Sequence, residues 1–299
     1  HLVSREDLKA QDRNHAAYEL GRDFLRAGML DRAEASLNIV GEGSYSIPAK
    51  IALLEMYQIE KDWRKAIIAA NELQTIENKN YQDQIAHFYC EIALEAIRRK
   101  DSTNAQEAVH QALKTVEHHI RATTIQGELM ILAGRPKEAI HVWSYIEEHY
   151  PSYMHLIAEK WMLAHAEIGL EKQGLDRLKG LLQDHGTGEL LDIIYRQILK
   201  LEGTQAAQDL MSLMMLTTPS IVAMTKRLES QWLLAQEAKD ENLAKDIKAS
   251  LDLLKNRTGT LVRYTCSSCG FRARRFYWQC PGCNQWDVYS PKRSEGMVS

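Results

Sequence analysis

A small residue returns along this chain at nearly constant spacing. Ala33, Ala66, Ala105, Ala139, Gly174 and Ala207 stand 33, 39, 34, 35 and 33 residues apart. Around them apolar residues recur three and four positions apart, as in Ile51, Leu54, Met56, Tyr57 and then Ala66, Ile67, Ala70, the period of a helix face. A repeat near 34 residues with two helices per period is the tetratricopeptide pattern. Each helix pair has an apolar face that it cannot bury alone, and stacking the pairs buries a continuous core. The small residue lets the second helix approach the first closely, and larger neighbours fill the space beside it.

Companion positions follow the same register. They are Leu20, Gly21, Phe24 and Leu37 in the first unit, Leu53, Tyr57 and Leu73 in the second, and Gly127 with Trp143 in the fourth. Gly28, Gly134, Gly169 and Gly203 read as residues that end helices in a left-handed turn. Pro151 and Pro219 are expected to stop the fourth and sixth units. The long interval places its extra residues in the polar stretch Glu77 to Gln84, and Gly174 replaces the expected Ala. A helical bundle without regular repeats is the plainer alternative.

Composition agrees with this class. The 299 residues leave room for about two domains. With 45% hydrophobic and 26% charged residues, wholesale disorder is excluded, and a net charge of -3 gives no global sign of a nucleic-acid binder. Aromatics at 7% and six prolines favour Leu/Ala/Ile/Met helix packing over a β-sandwich. No apolar run approaches the ~20 residues that cross a bilayer.

The grammar changes near Gly259. Tyr264, Phe271, Phe276, Tyr277, Trp278, Trp286 and Tyr289 crowd one short stretch, and the segments 260–264 and 275–278 read as strands. Asn256 to Gly259 reads as a link, so the chain divides into a helical domain, 1–255, and a small C-terminal domain, 256–299. So short a unit needs a staple. Cys266-Ser-Ser-Cys269 and Cys280-Pro-Gly-Cys283, ten residues apart, supply it. Each C-x-x-C pair forms a knuckle presenting two thiolates to one edge of a metal, and two knuckles close a tetrahedral site for one iron or zinc ion. Two disulfides or four thiols remain the plainer alternative. Gly270, Gly282 and Asn284 sit where the knuckle turns need permissive backbone. Arg263, Arg272, Arg274 and Arg275 stand ready to offset the charge of four thiolates. All four metal positions are taken by sulfur, so no place is left for an activated water.

No H-E-x-x-H, P-loop or G-x-S-x-G occurs, and Gly41-Glu-Gly43 reads as a loop, so no catalytic residue is assigned and the chain is read as a non-enzyme. His118 and His119 read as a helix end. Cys90 reads as a small packed residue. On a first helix of its unit, however, His87, Cys90 and Glu91 are candidates for contact with a partner or with the C-terminal domain, as are Arg272, Arg274 and Arg275.

Three sets of residues carry a resemblance. They are Leu20-Gly21-Arg22-Asp23 with Asp31-Arg32-Ala33-Glu34, the segment Ile85 to Leu94, and Tyr264-x-Cys-x-x-Cys-Gly-Phe271 with Tyr277-Trp278-x-Cys280-Pro-x-Cys283. Together they resemble the lipopolysaccharide assembly protein B family along essentially the whole chain. The resemblance implies a mostly α fold: a tetratricopeptide-repeat superhelix with a small β-rich, rubredoxin-like or zinc-ribbon domain. It implies Cys266, Cys269, Cys280 and Cys283 as ligands, commonly for iron. The ten-residue spacing is shorter than in electron-carrying rubredoxins and argues against a redox role. Family members act at the cytoplasmic side of the bacterial inner membrane through an N-terminal transmembrane helix, which this chain lacks, so it is expected to be a soluble cytoplasmic portion. The implied function is adaptor: helping the membrane protease FtsH degrade the deacetylase that commits carbon to lipid A, with other lipopolysaccharide assembly proteins as further partners. Two readings of the C-terminal unit stay open beside it: an electron-transfer module, and a zinc ribbon that binds nucleic acid through Arg272, Arg274 and Arg275.

Overall fold

The computed structural model describes residues 9–258 and 264–291. The first range is almost entirely helical, and seven helix pairs follow one another along it. They are α1 (Ala10–Arg26) with α2 (Leu30–Asn38), α3 (Ser46–Glu60) with α4 (Trp63–Glu77), and α5 (Gln82–Arg98) with α6 (Ser102–Thr115). Next come α7 (Ile120–Leu132) with α8 (Pro136–His149), and α9 (Ala158–Glu167) with α10 (Glu171–Gly180). After the short α11 (Leu182–His185) come α12 (Gly188–Leu201) with α13 (Thr204–Thr217), and α14 (Ile221–Glu237) with α15 (Glu241–Thr258). No helix among the described residues is long and apolar enough to cross a membrane.

One turn joins the helices of every pair. The backbone N–H of Met29, Asp62, Asp101, Arg135, Leu170, Gly203 and Asp240 donates to the carbonyl five residues earlier, at 2.8–3.0 Å. The N–H four residues later, on Ala33, Ala66, Ala105, Ala139, Gly174, Ala207 and Ala244, returns to the carbonyl of that same turn residue at 2.9–3.3 Å. The recurring small residue therefore marks a recurring turn. In six of the seven turns the residue before the turn residue is left-handed, whereas in the sixth pair Glu202 stands there at φ -122° and Gly203 after it takes φ 92°. Gly28, Gly134 and Gly169 fill the left-handed place at φ 70–71°. In three turns a lysine does so instead: Lys61, Lys100 and Lys239, at φ 58–61°. An aspartate follows each, and its carboxylate accepts the N–H of Lys65, Asn104 or Leu243 at 3.0–3.1 Å. A left-handed non-glycine residue costs roughly 1–2 kcal/mol, and an N-cap aspartate returns about 1 kcal/mol, so the pairing is close to neutral. The seventh pair lies beyond the six small-residue positions read from the sequence. Its Ala244 is half-buried, whereas Ala33, Ala66, Ala105, Ala139 and Ala207 are fully buried.

Glycine within a helix marks close packing. A Cβ on Gly21 would lie 2.6 Å from the Leu37 side chain, and one on Gly127 would overlap the Trp143 indole. Gly174 behaves likewise: its missing Cβ would lie 2.6 Å from His165, so this departure from Ala fits a larger residue across the pair.

The chain forms two compact units, His1–Gln126 and Gly127–Ser299. In the first, Leu37, Met56, Leu73 and Phe88 lie in the core. The Tyr57 hydroxyl donates to Glu34 at 2.8 Å, and Lys65 pairs with the same carboxylate at 2.8 Å. The long interval falls where expected, with α4 ending at Glu77, Asn78 left-handed and α5 starting at Gln82. In the second unit Trp143, Trp161, Tyr195, Leu175 and Leu178 fill the core. Pro151 does more than stop α8 there, because it opens a 3-10 helix, η1 (Pro151–Leu156), before α9 begins.

At the C-terminal end, α15 runs on to Thr258, so most of the expected link at 256–259 is helical. The predicted strand at 260–263, with Arg263, lies outside the described residues. Beyond it, β1 (Tyr264–Thr265) pairs antiparallel with β2 (Arg272–Ala273), and isolated bridges join Cys266 to Tyr289 and Gln279 to Trp286. The segment 275–278 is not a strand. Of its aromatic side chains, Phe276 and Trp278 are engaged with η1.

Candidate metal centre

The two C-x-x-C segments fold identically. In each, the N–H of the first cysteine donates to the carbonyl five residues on: Cys266 to Phe271 at 2.9 Å and Cys280 to Gln285 at 2.8 Å. The carbonyl of that cysteine accepts from the residue four positions on, Gly270 at 3.0 Å and Asn284 at 2.8 Å. Both latter residues are left-handed, at φ 74° and 56°. Gly282 is not, and its place has another cause, since a Cβ there would lie 3.1 Å from Phe271.

The knuckles face each other. Cys266 Sγ lies 3.8 Å from Cys283 Sγ, and Cys269 Sγ lies 3.7 Å from Cys280 Sγ. All four sulfurs lie within 4.8 Å of one another and none is in a disulfide. A tetrahedron with metal–sulfur bonds of ~2.3 Å has edges of roughly 3.8 Å, whereas a disulfide would require ~2.05 Å. The sulfur cluster therefore fits a tetrahedral ion. Cys266 and Cys280 are buried, Cys283 is half-buried and Cys269 is exposed.

The electrostatics agree. Burial opposes ionisation of Cys280, but the Tyr289 hydroxyl and the N–H groups of Cys283 and Gly282 outweigh it and bring its thiol down to about 6. At Cys269 a backbone N–H from Phe271 favours the thiolate, yet desolvation and the other three sulfurs push the thiol up to about 12. Four thiols this close cannot all ionise without a cation among them. With a divalent ion bound, these cysteines act as thiolate ligands and the ion supplies cohesion to a unit whose own core is Tyr264, Cys266, Ala273, Cys280 and Tyr289.

The unit is seated on η1 through rings. Tyr153 stacks on Trp278 at 5.7 Å with planes 2° apart, and meets the Phe276 edge at 6.1 Å. His155 Nδ1 lies 2.9 Å from the Ser152 carbonyl, which places the proton on Nδ1 and leaves Nε2 to accept from the Tyr264 hydroxyl at 3.4 Å. Burial lowers the His155 pKa and keeps this ring neutral. Neither Tyr153 nor His155 was singled out by the sequence. The only signal was Pro151 followed by ring residues at alternate positions, Tyr153 and His155.

The remaining candidates fall in two places. His87 and Cys90 are fully buried on α5, so neither side chain offers surface to another chain. Cys90 Sγ lies 3.9 Å from His119 Nδ1, and His87 packs edge-on to His119 at 4.5 Å. His119 stands at the start of α7, where its Nδ1 accepts the Ala122 N–H at 3.3 Å. Glu91 forms an ion pair with Arg121 at 2.6 Å. Arg272, Arg274 and Arg275 are all exposed on the metal unit, and Arg275 Nε donates to the Tyr277 hydroxyl at 2.7 Å.

Fold and site together define a class: a tetratricopeptide-type helical-repeat protein that carries a four-cysteine metal-binding zinc ribbon. Residues 264–288 match the family described as "Rubredoxin metal binding domain". Along its length the chain is similar to Lipopolysaccharide assembly protein B of Escherichia coli strain K12, 25% identical over 294 residues that cover 98% of this chain and 75% of that protein. The protein of the same name from Haemophilus influenzae is 25% identical over 289 residues, covering 92% of this chain and 69% of its own. Among solved structures, a tetratricopeptide repeat protein from Parabacteroides merdae shares 14% identity and a TM-score of 0.33 over 73% of this chain and 98% of its own. The resemblance to the lipopolysaccharide assembly protein B family thus runs nearly end to end.

Proposed function

We propose that this protein is a non-enzymatic adaptor in the control of lipopolysaccharide synthesis. The observation that carries this reading is the order of parts: helical repeats followed by the metal unit align with 98% of the chain against a relative named for lipopolysaccharide assembly. In this reading the chain works at the cytoplasmic face of the inner membrane. It binds the protease FtsH and the deacetylase of the lipid A pathway together. Binding both raises their effective concentration and needs no chemistry from the adaptor. The exposed Arg272, Arg274 and Arg275 offer a basic edge to an acidic partner segment. The four cysteines hold one iron or zinc ion, whose role is structural. In vesicles containing FtsH and the deacetylase, adding the membrane-anchored adaptor is expected to shorten the deacetylase half-life several-fold. An unchanged half-life overturns the reading.

A further inference from the structure

The end of the metal unit crosses from one knuckle to the other. The Val288 carbonyl accepts from the Ser267 N–H at 2.9 Å and from the Ser267 hydroxyl at 3.1 Å. The next residue, Tyr289, faces Cys266 in an antiparallel bridge. Its backbone is therefore fastened to the first knuckle. Its side chain points the other way and is 2% exposed, with the hydroxyl 3.5 Å from Cys280 Sγ on the second knuckle. A metal-bound thiolate only accepts, so the hydroxyl is the donor. Cys280 is fully buried, out of reach of water that would otherwise solvate its sulfur. The Tyr277 ring packs 6.2 Å away, but its hydroxyl is taken by Arg275 rather than by a sulfur. The rubredoxin-type match stops at residue 288, one short of Tyr289.

We propose that Tyr289 is a positioning residue of the metal centre: it spans the two knuckles, and its O–H···S bond to Cys280 sets the electron density on that ligand. Groups that hydrogen-bond metal ligands fix ligand orientation, and their loss typically costs 10–100-fold in metal affinity. The inference rests on the four cysteines being a metal site.

The test uses the full chain loaded with Co(II), a coloured stand-in for either native ion, and compares wild type, Tyr289→Phe and Tyr277→Phe. Wild type is expected to take up one cobalt per chain. Tyr289→Phe keeps that stoichiometry and the helical signal. Its sulfur-to-cobalt band moves to longer wavelength, because an undonated thiolate is the better electron donor. It surrenders cobalt to a chelator roughly 10–100-fold faster. Tyr277→Phe follows wild type. A Tyr289→Phe band and release rate equal to wild type overturn the proposal. Faster release with an unmoved band also overturns it, by reducing Tyr289 to packing. Wild type that takes up no cobalt brings down the metal-site reading itself, and the proposal with it.

Discussion

The helical repeats and the metal unit meet the same need, burying enough to hold a shape, in opposite ways. The repeats spread cohesion over many small contacts, with one turn used seven times and close glycine contacts such as Gly127 on Trp143. The metal unit has a handful of buried side chains and concentrates its cohesion on four sulfurs. A distributed fold loses little when any one contact goes. A fold built on a point loses everything there.

Metal removal should break that contrast most sharply. Structural zinc sites return about 10–16 kcal/mol on binding, comparable with the ~5–15 kcal/mol of a whole domain. Stripping the metal, or Cys280→Ser, should therefore abolish hydrogen-exchange protection across 264–291 and change Trp278 fluorescence, while the far-ultraviolet helical signal stays. A metal-free unit that keeps its protection would show that its core suffices alone. Within the repeats, Gly127→Ala should cost about 1–3 kcal/mol by forcing a Cβ against the Trp143 ring. Chemical denaturation reads that loss, and the cobalt spectrum should be unmoved.

The smallest effect lies at the seam. Burial lowers the pKa of His155 below its ordinary 6.5, so the unfolded chain takes the proton more readily. Stability is then complete above about pH 6.5 and falls as acid approaches the folded value, at under ~1.4 kcal/mol per pH unit for one proton. His155→Gln keeps an acceptor for Tyr264 and should flatten this slope in melts between about pH 5.5 and 7.5. Part of the slope remains, because burial lowers His165 in the same sense. A slope equal to wild type would mean that the seam does not feel His155.

Legibility followed the physics of each residue. Gly28, Gly134, Gly169 and Gly203 announced their turns because glycine is the usual left-handed residue. Lys61, Lys100 and Lys239 make the same turn unannounced, since lysine carries no such preference and only the aspartate after it hints at a cap. The seventh pair hid for a related reason: its small residue, Ala244, is half exposed and follows Ala207 by 37 positions. The four cysteines were plain, because thiolate spacing is itself the chemistry. Tyr153, His155 and Tyr289 were not, because they matter only through partners distant in sequence, such as the 109 positions between His155 and Tyr264. His87 and Cys90 face the interior because their helix is apolar on more than one side, which single-face periodicity does not distinguish.

The 3-10 detour at Pro151–Leu156 has one more consequence. A ladder of near-identical rungs gives an attached tail no landmark, and a tail that recognised only the common rung could settle on several. An irregular segment bearing Tyr153 and His155, whose rings meet those of the metal unit, removes that ambiguity. The aromatic tip thereby has a defined address beside η1.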